Sequence, residues 1–406
     1  MSMIENNDYN KRINSPDIAG LKLTGKLRRR RKKVMTIIRR TLLVIFTIPL
    51  LLVFALFTLC QTIATGPSET VRDLLVLSAM QASATKWVPG LFLDDAVVEE
   101  IVNKSQIIQT DVVPLDEYVK KTRPDVTDET DDNSDNEDDI ETDEWANAID
   151  GMLYYTVSGP TYKAYILIVR DPSRVYIGTS SDYKSGKIGA RIFDIVEREG
   201  AIAAINGGEF ADTNGQGTGD NPIGLTYSRG SCVWNDGARR TFIGFDKNNK
   251  LIVTESMTKN EADELGIRDS VSFQKGNVLI TNDGVNITLH YAEGDKGTAQ
   301  RTAIGQRADG SVVMIVTDGR TASSLGATRN DVIDLLVSYG AITAGMLDGG
   351  SSTMMYYRDY YDKYNIDKST LDTYQLMGLT NRYKAFTKPR HLPTFFLVSP
   401  ETNENG

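Results

Sequence analysis

The chain has 406 residues, two of them cysteines, and a formal net charge of −9. This length is sufficient for one large domain or for several ordinary ones with complete cores. Because Cys60 lies within the longest apolar run and only Cys232 remains, a small scaffold held together by disulfides is excluded. The acidic balance argues against nucleic acid as a partner.

The first 60 residues combine a basic segment with a long apolar one. Residues 1–40 contain twelve Lys or Arg and three acidic residues, and residues 41–60 are twenty uncharged, mostly apolar residues. Such a run can cross a bilayer as a helix, and the basic flank places the N-terminus in the cytoplasm. A buried core helix does not explain that flank, and a cleaved signal peptide has a shorter basic segment. We therefore predict a basic cytoplasmic segment (1–40) and a single-pass membrane anchor (41–65) in contact with lipid, with the rest of the chain outside the cell.

Two connecting segments follow the apolar run. In residues 66–124 apolar positions recur at intervals of three and four, which is typical of helices, and we predict a helical stalk. Residues 125–144 contain twelve carboxylates, no basic residue and almost no apolar residue. Such a segment gains too little from burial to offset the entropy of ordering. We predict a disordered acidic linker in preference to a low-affinity cation site.

Residues 145–406 have the pattern of a single α/β unit. Short runs rich in branched and aromatic residues predict strands at 164–169, 201–205, 241–245, 278–281, 312–317 and 394–398. Turn sequences at residues 282–284 and 309–310 predict hairpins. Apolar periodicity predicts helices at 189–199 and 330–339, each followed by a glycine suited to a left-handed cap. The predicted fold class is α+β, with a mixed, largely antiparallel sheet and packed helices, preceded by the transmembrane helix and the stalk.

Both helices lead through a buried strand to a short polar residue and paired glycines. The first leads to Asn206-Gly207-Gly208, and the second to Asp348-Gly349-Gly350-Ser351-Ser352. A strand buried on both faces first presents a polar group to solvent at its end, and glycines allow a ligand to approach the backbone. Each segment alone is equally well an ordinary tight turn. Together with Arg301-Thr302 and Asp318-Gly319-Arg320 around a third strand pair, they predict one convergent site.

These residues resemble the phosphodiester glycosidase family over about residues 151–398. The motifs that carry the resemblance are Ala204-Ile205-Asn206-Gly207-Gly208-Glu209-Phe210, Arg301-Thr302-Ala303-Ile304-Gly305, Asp318-Gly319-Arg320, Leu347-Asp348-Gly349-Gly350-Ser351-Ser352 and Pro389-Arg390. The resemblance implies hydrolysis of the bond between sugar C1 and a phosphate oxygen, in a phosphodiester-linked glycan of a surface polysaccharide or cell-wall polymer. Glu209 departs from the family pattern, which has a small or aromatic residue there, so the resemblance gives it no catalytic role.

The side chains of these motifs suit the implied chemistry. Glycoside cleavage passes through an oxocarbenium-like transition state that a carboxylate stabilises or attacks, and we assign this role to Asp348 first and to Asp318 second. A phosphate monoester leaves without much protonation, and arginine binds its oxygens in bidentate fashion. Arg301 and Arg320, followed by Arg390, are therefore the candidates for phosphate binding. The remaining candidates for binding sugar or phosphate, by side chain or backbone amide, are Asn206, Gly207, Gly208, Thr302, Gly349, Gly350, Ser351 and Ser352.

The sequence leaves the metal requirement open. Residues 212–217 begin like a calcium loop, but Ile223 stands where a bidentate glutamate is expected. Ca²⁺ or Mg²⁺ is therefore a candidate cofactor without a defined set of ligands.

Two other functions are compatible with these residues. They are a non-enzymatic polysaccharide-binding or assembly protein on the same fold and a metal-dependent phosphohydrolase, because a fold alone does not establish catalysis. The scarcity of cysteine favours the surface of a Gram-positive bacterium, and the sequence specifies no protein partner.

Overall fold

The structure, a computed structural model, divides the chain into two compact units, Met1–Pro67 and Ser68–Gly406. The residues that it describes are 16–80, 85–105, 108–122, 143–180, 183, 188–212, 218–292, 297–319, 321, 324–383 and 388–401.

The described residues of the first unit form one long helix, α1 (Pro16–Thr65). Its part from Lys32 to Thr65 is long and apolar enough to cross a membrane. Most of the large apolar side chains of this part are exposed, among them Phe46 at 72%. The Thr47 hydroxyl donates to the Leu43 carbonyl at 2.8 Å, which satisfies a polar group where lipid offers no partner. The predicted apolar span is thus a helix suited to a membrane anchor or a signal sequence.

The second unit contains the strands and the shorter helices. The strands are β1 (Ile108–Pro114), β2 (Met152–Ser158), β3 (Lys163–Val169), β4 (Val175–Thr179), β5 (Ala203–Asn206), β6 (Leu225–Ser228), β7 (Ser231–Asn235), β8 (Thr241–Asp246), β9 (Leu251–Thr254), β10 (Ile267–Phe273), β11 (Val278–Asn282), β12 (Asn286–Ala292), β13 (Thr302–Arg307), β14 (Val312–Thr317), β15 (Ala341–Leu347), β16 (Met355–Tyr357) and β17 (Thr394–Val398). The helices are α2 (Glu69–Met80), α3 (Asp95–Ser105), α4 (Leu115–Thr122), α5 (Ile192–Glu199), α6 (Lys259–Leu265), α7 (Arg329–Ser338), α8 (Tyr360–Lys363) and α9 (Thr373–Leu376).

These strands form three sheets. An eight-stranded sheet has the order β1-β12-β11-β15-β13-β14-β3-β2, a five-stranded sheet the order β7-β6-β10-β8-β9, and a four-stranded sheet the order β16-β5-β17-β4. The strand pairs within them are antiparallel. The predicted α+β class with a largely antiparallel sheet is confirmed.

The core lies on both faces of the eight-stranded sheet. Val312, Met314 and Val316 of β14 join a buried cluster with side chains of the two smaller sheets. Val313 and Ile315 of the same strand join a second cluster with side chains of α7. Successive side chains of a strand point to opposite faces. A strand covered on both faces is therefore apolar throughout, as β14 is.

The predicted strands, hairpins and helices are present, with ends shifted by at most three residues. At the turn between β11 and β12, the Asp283 carboxylate accepts hydrogen bonds from the amides of Val285 and Asn286 at 2.8 and 2.7 Å. Gly284 in this turn has a φ of +92°. Gly200 ends α5 with a φ of +68°, the left-handed cap that the sequence predicts.

The predicted stalk, residues 66–124, is not helical throughout. It contains α2, α3 and α4, but β1 pairs over its whole length with β12, at the edge of the eight-stranded sheet. Most β1 side chains are exposed, so backbone hydrogen bonds hold this strand and its sequence shows no two-residue apolar period. In α4 the buried Tyr118 hydroxyl donates to the Ala341 carbonyl at 2.7 Å. The last part of the predicted stalk therefore belongs to the sheet domain.

The acidic segment is flanked by two contacts that lie side by side on this domain. Of the predicted linker, residues 125–144, only the last two are among the described residues. Before it, Tyr118 bonds to Ala341; after it, Glu144 pairs with Arg307 at 3.0 Å. Arg307 and Ala341 are register partners on neighbouring strands. The two described flanks of the acidic segment therefore lie on one domain, so this segment does not connect two separate domains.

Cleavage of the acidic segment is therefore expected to leave both pieces of the chain associated. A specific protease site is inserted between residues 130 and 136 of the full-length protein in detergent, and the cut protein is analysed by size-exclusion chromatography. Because β1 and α4 remain bonded to the sheet, the pieces should co-elute until denaturant is added, and Tyr118→Ala should speed their separation. Separation in native buffer would show that the covalent link through the segment, and not β1 and α4, holds the two pieces together.

Candidate functional site

The ends of β5 and β15 meet, as the sequence predicts. The Asp348 amide donates to the Gly207 carbonyl at 3.2 Å, and the Asn206 side-chain amide donates to the Asp348 carbonyl at 2.6 Å. Asn206 is fully buried, and its Oδ1 accepts from the Thr302 hydroxyl at 2.8 Å and the Met354 amide at 3.2 Å. The side chains of Asn206 and Thr302 thus point into the protein, where they hold the backbone that carries Asp348.

The paired glycines make room for neighbouring backbone. A Cβ on Gly208 would lie 2.4 Å from the Ser272 carbonyl oxygen of β10, and one on Gly349 would lie 2.8 Å from the Gln300 carbonyl oxygen. Backbone cannot move aside as a flexible side chain can, so these positions require glycine. The predicted reason for these glycines was the approach of a ligand, whereas in the structure neighbouring protein backbone lies against them.

The Asp348 carboxyl is the central titratable group at this meeting point. Burial is the largest influence on its pKa and raises it to about 7. The Ser352 hydroxyl lowers this pKa, the Glu209 carboxylate raises it, and the Arg390 guanidinium and the Gly349 amide lower it. A carboxyl with a pKa near 7 is present in both protonation states at neutral pH, which suits an active-site group.

Glu209 places a second carboxyl in the site. Its Oε2 accepts from the Gln274 backbone amide at 3.1 Å, and its Oε1 accepts from the Gln274 side-chain amide. Burial raises the pKa of Glu209, while the Gln274 bonds and the charges of Arg240 and Lys86 lower it. No role was predicted for Glu209, because it departs from the family pattern. Its position directly after the paired glycines is the signal that could have placed it here.

Arg390 brings a positive charge to the site. Its Nη1 donates to the Ser351 hydroxyl at 3.2 Å, and its Nη2 pairs with Asp212 at 2.7 Å. The guanidinium lies over the Phe210 ring, 5.4 Å from its centroid. The Tyr383 hydroxyl donates to the Ser351 carbonyl and accepts from the Arg390 amide. Asp212, which the sequence placed in a candidate calcium loop, pairs with Arg390 instead. Tyr383 was not predicted as a site residue, because it lies in a loop that only the fold brings here.

The other two predicted arginines are placed differently. Arg301 donates from Nε to the Ala327 carbonyl at 3.1 Å and from Nη2 to the Gly297 carbonyl at 2.6 Å. Its guanidinium thus joins two loops through their backbone carbonyls. Arg320 lies outside the described residues.

Asp318 has surroundings of its own. It is buried, its Oδ2 accepts from the Tyr165 hydroxyl at 2.7 Å, and its Oδ1 accepts from the Arg382 amide at 3.2 Å. Burial raises the pKa of Asp318 to about 6, and these bonds and the charge of Lys163 lower it. The bonds of Asp318 therefore hold it between Tyr165 of β3 and the backbone of Arg382, the residue before Tyr383.

The described residues contain no group of side chains arranged as a metal site. Among those residues, no three His, Cys, Asp or Glu side chains are grouped so as to hold a metal ion. Of the predicted calcium loop, residues 213–217 lie outside the described residues, and Asp212 pairs with Arg390. Ile223, at the place of the expected bidentate ligand, donates its amide to the Glu209 carbonyl at 3.1 Å.

The part of the sequence that carries this site matches the model of a known protein family. Residues 199–399 match the family model described as phosphodiester glycosidase. This match identifies residues 199–399 as a phosphodiester glycosidase domain. The matched range includes Asn206, Glu209, Asp348 and Arg390, and phosphodiester glycosidase membership supports a glycosidase-type hydrolytic function.

A curated bacterial protein is similar to part of the chain. The SPbeta prophage-derived uncharacterized protein YomE of Bacillus subtilis (strain 168) is 28% identical over 185 residues, which are 45% of this chain. The chain spans 27% of the length of that protein.

Solved structures of similar proteins have low sequence identity to this chain. The zebrafish N-acetylglucosamine-1-phosphodiester alpha-N-acetylglucosaminidase catalytic domain, auto-inhibited by its pro-peptide, is 16% identical with a TM-score of 0.46, over 63% of this chain and 85% of that one. A putative exported protein from Burkholderia pseudomallei K96243 is 14% identical with a TM-score of 0.40, over 59% of this chain and 74% of that one. A hypothetical protein from Synechocystis is 13% identical with a TM-score of 0.37, over 62% and 63% of the two chains.

Proposed function

We propose that this protein hydrolyses the bond between sugar C1 and a phosphate oxygen in a phosphodiester-linked glycan. The observation that supports this most directly is the presence of the Asp348 carboxyl and the Arg390 guanidinium in one site at the ends of buried strands. The reaction develops positive charge on the anomeric carbon and negative charge on the leaving phosphate. A carboxylate and an arginine are the groups that stabilise these two charges.

In the proposed reaction the ionised Asp348 carboxylate acts on C1, either by attack or by electrostatic stabilisation. The C1–O bond breaks, its electron pair goes to the phosphate oxygen, and Arg390 with the Ser351 hydroxyl binds the departing phosphate monoester. The oxygen of a water molecule then bonds to C1, and where Asp348 has attacked C1 the bond between C1 and its carboxylate breaks in the same step. The proton that this water releases goes to a carboxylate or to solvent, and a pKa near 7 makes Asp348 an effective acceptor.

The proposed substrate is a surface polysaccharide or a cell-wall glycopolymer. The apolar helix from Lys32 to Thr65 and the basic residues that precede it support an anchor with its N-terminus in the cytoplasm. A catalytic domain fixed outside the membrane in this way meets polymers that are attached to or assembled at the surface of the cell, such as that of a Gram-positive bacterium.

The position of bond cleavage tests this proposal. The full-length protein in detergent is incubated in H₂¹⁸O with a synthetic sugar-1-phosphodiester, and the products are analysed by mass spectrometry, with Asp348→Asn as the control for contaminating enzymes. We expect the heavy oxygen in the released sugar. Its appearance in the phosphate would identify a phosphohydrolase, and binding without turnover would identify a polysaccharide-binding protein.

A further inference from the structure

The backbone around Glu209 is fixed next to Asp348. Gly207, two residues before Glu209, accepts the Asp348 amide at 3.2 Å. The Glu209 amide donates to the Ser272 carbonyl at 3.1 Å, and the Glu209 carbonyl accepts from the Ile223 amide at 3.1 Å. One bond thus ties this segment to Asp348 and two others hold Glu209 itself. Glu209 has little freedom to move away from the site.

The Glu209 side chain is also held in place. Gln274, directly after β10, donates to it from both its backbone amide and its side-chain amide. A carboxylate has about four acceptor positions, so two remain after these bonds. Both Gln274 bonds favour the ionised form of Glu209, because an ionised carboxylate is the stronger acceptor.

The charges around the two carboxyls differ. Arg240 and Lys86 act on Glu209, while Arg390 acts on Asp348. The Arg390 guanidinium is itself paired with Asp212, which reduces the positive charge that it presents to the site. Asp348 therefore has a negatively charged neighbour in Glu209 and a partly neutralised positive one in Arg390.

We propose that Glu209 is a positioning residue for Asp348, and that the two form a coupled carboxyl pair in which the charge of Glu209 opposes the ionisation of Asp348. Two like charges in one site disfavour each other, so the pair releases its protons in two linked steps. The part of this inference that concerns activity rests on the proposed function, whereas the coupling itself does not.

Removing the charge of Glu209 is expected to change the pH dependence of catalysis more than its maximum. If the ionised form of Asp348 acts on C1, the rate rises with pH until Asp348 is ionised. Without the Glu209 charge this ionisation occurs at lower pH. In Glu209→Gln the acidic limb of the kcat/KM profile should therefore shift down by about one pH unit. The kcat on the plateau should stay within about tenfold of the parent value.

The kinetic test measures the profile of the full-length protein on a sugar-1-phosphodiester from about pH 5 to about pH 9. Glu199→Gln is the matched control. Glu199 is the last residue of α5, and its carboxylate pairs with Arg229. This control should leave the limb in place. A merely structural role of Glu209 would lower the rate equally at every pH, and a limb that does not move in Glu209→Gln would overturn the proposal.

A second measurement does not depend on activity. Because the folded-state pKa of Asp348 lies above that of an unfolded aspartate, the folded protein binds more protons, and stability falls as pH rises from about 4 to about 7. Asp348→Asn should remove the part of this fall that Asp348 contributes, and Glu209→Gln should reduce that part. In the double-mutant cycle, the pH-dependent effect of Glu209→Gln should be smaller once Asp348 is Asn, because only the part that comes from Glu209's own ionisation then remains.

The two measurements separate the possible failures. If the double-mutant cycle shows no coupling between Glu209 and Asp348, the proposed pair is overturned, whatever the kinetic test shows. Coupling in the stability cycle together with an Asp348→Asn enzyme of normal activity supports the pair and contradicts the proposed function.

Discussion

Asp348→Asn is expected to lower kcat by at least about a hundredfold, roughly 2.7 kcal/mol in the activation barrier, with little change in KM. Asparagine has nearly the same shape but carries no negative charge, so it cannot stabilise or attack the anomeric carbon in the transition state. Binding of the ground-state substrate depends mainly on other groups. Steady-state kinetics on a sugar-1-phosphodiester measure both constants.

Folding of the Asp348→Asn variant can be checked independently. Asn206 holds the backbone of residue 348 through its carbonyl, a contact that the substitution leaves intact. Because burial disfavours the charged form of Asp348, the variant should have a higher free energy of unfolding than the parent at about pH 8. At about pH 4 the free energies of unfolding of the two proteins should differ less. A folded variant with near-normal kcat would remove Asp348 from the mechanism and make Asp318 the next candidate.

Arg390→Lys is expected to raise KM by about tenfold, roughly 1.4 kcal/mol, and to lower kcat less. Lysine keeps the positive charge but loses the planar group that contacts Ser351 and Asp212 together and that can bind two phosphate oxygens. If Arg390 binds phosphate in the ground state as well as in the transition state, the loss falls mainly on KM. The same steady-state assay measures it.

Arg301→Lys is the matched control for this prediction. The Arg301 side chain donates to the carbonyls of Gly297 and Ala327, so lysine should lower the free energy of unfolding and leave KM nearly unchanged. The opposite result, a raised KM in Arg301→Lys with Arg390→Lys unaffected, would return the phosphate-binding role to Arg301, the residue that the sequence favours.

The sequence by itself determined the predicted strands and helices of the sheet domain, and the polar residues at which β5 and β15 end. The uninterrupted apolar run of β14 reflects burial on both faces, and the turn at Asp283 and Gly284 determines a hairpin through local hydrogen bonds and a positive φ. The local sequence pattern also predicted that Asn206 and Asp348 lie at strand ends, and in the structure those two ends are in contact. These features depend on residues close together in sequence, so a single sequence contains them.

Only the tertiary structure decided which charged side chains share the site. Arginine has a long, flexible side chain, and the carbonyls that orient Arg301 come from loops that the sequence does not position. Asp318 and Asp348 follow similar strands, yet Tyr165 binds one and Glu209 influences the other. Strand β1 joins the sheet through backbone hydrogen bonds, and these do not require an alternation of apolar and polar side chains in its sequence. Long-range contacts and desolvation set these outcomes, and neither is a property of neighbouring residues in the chain.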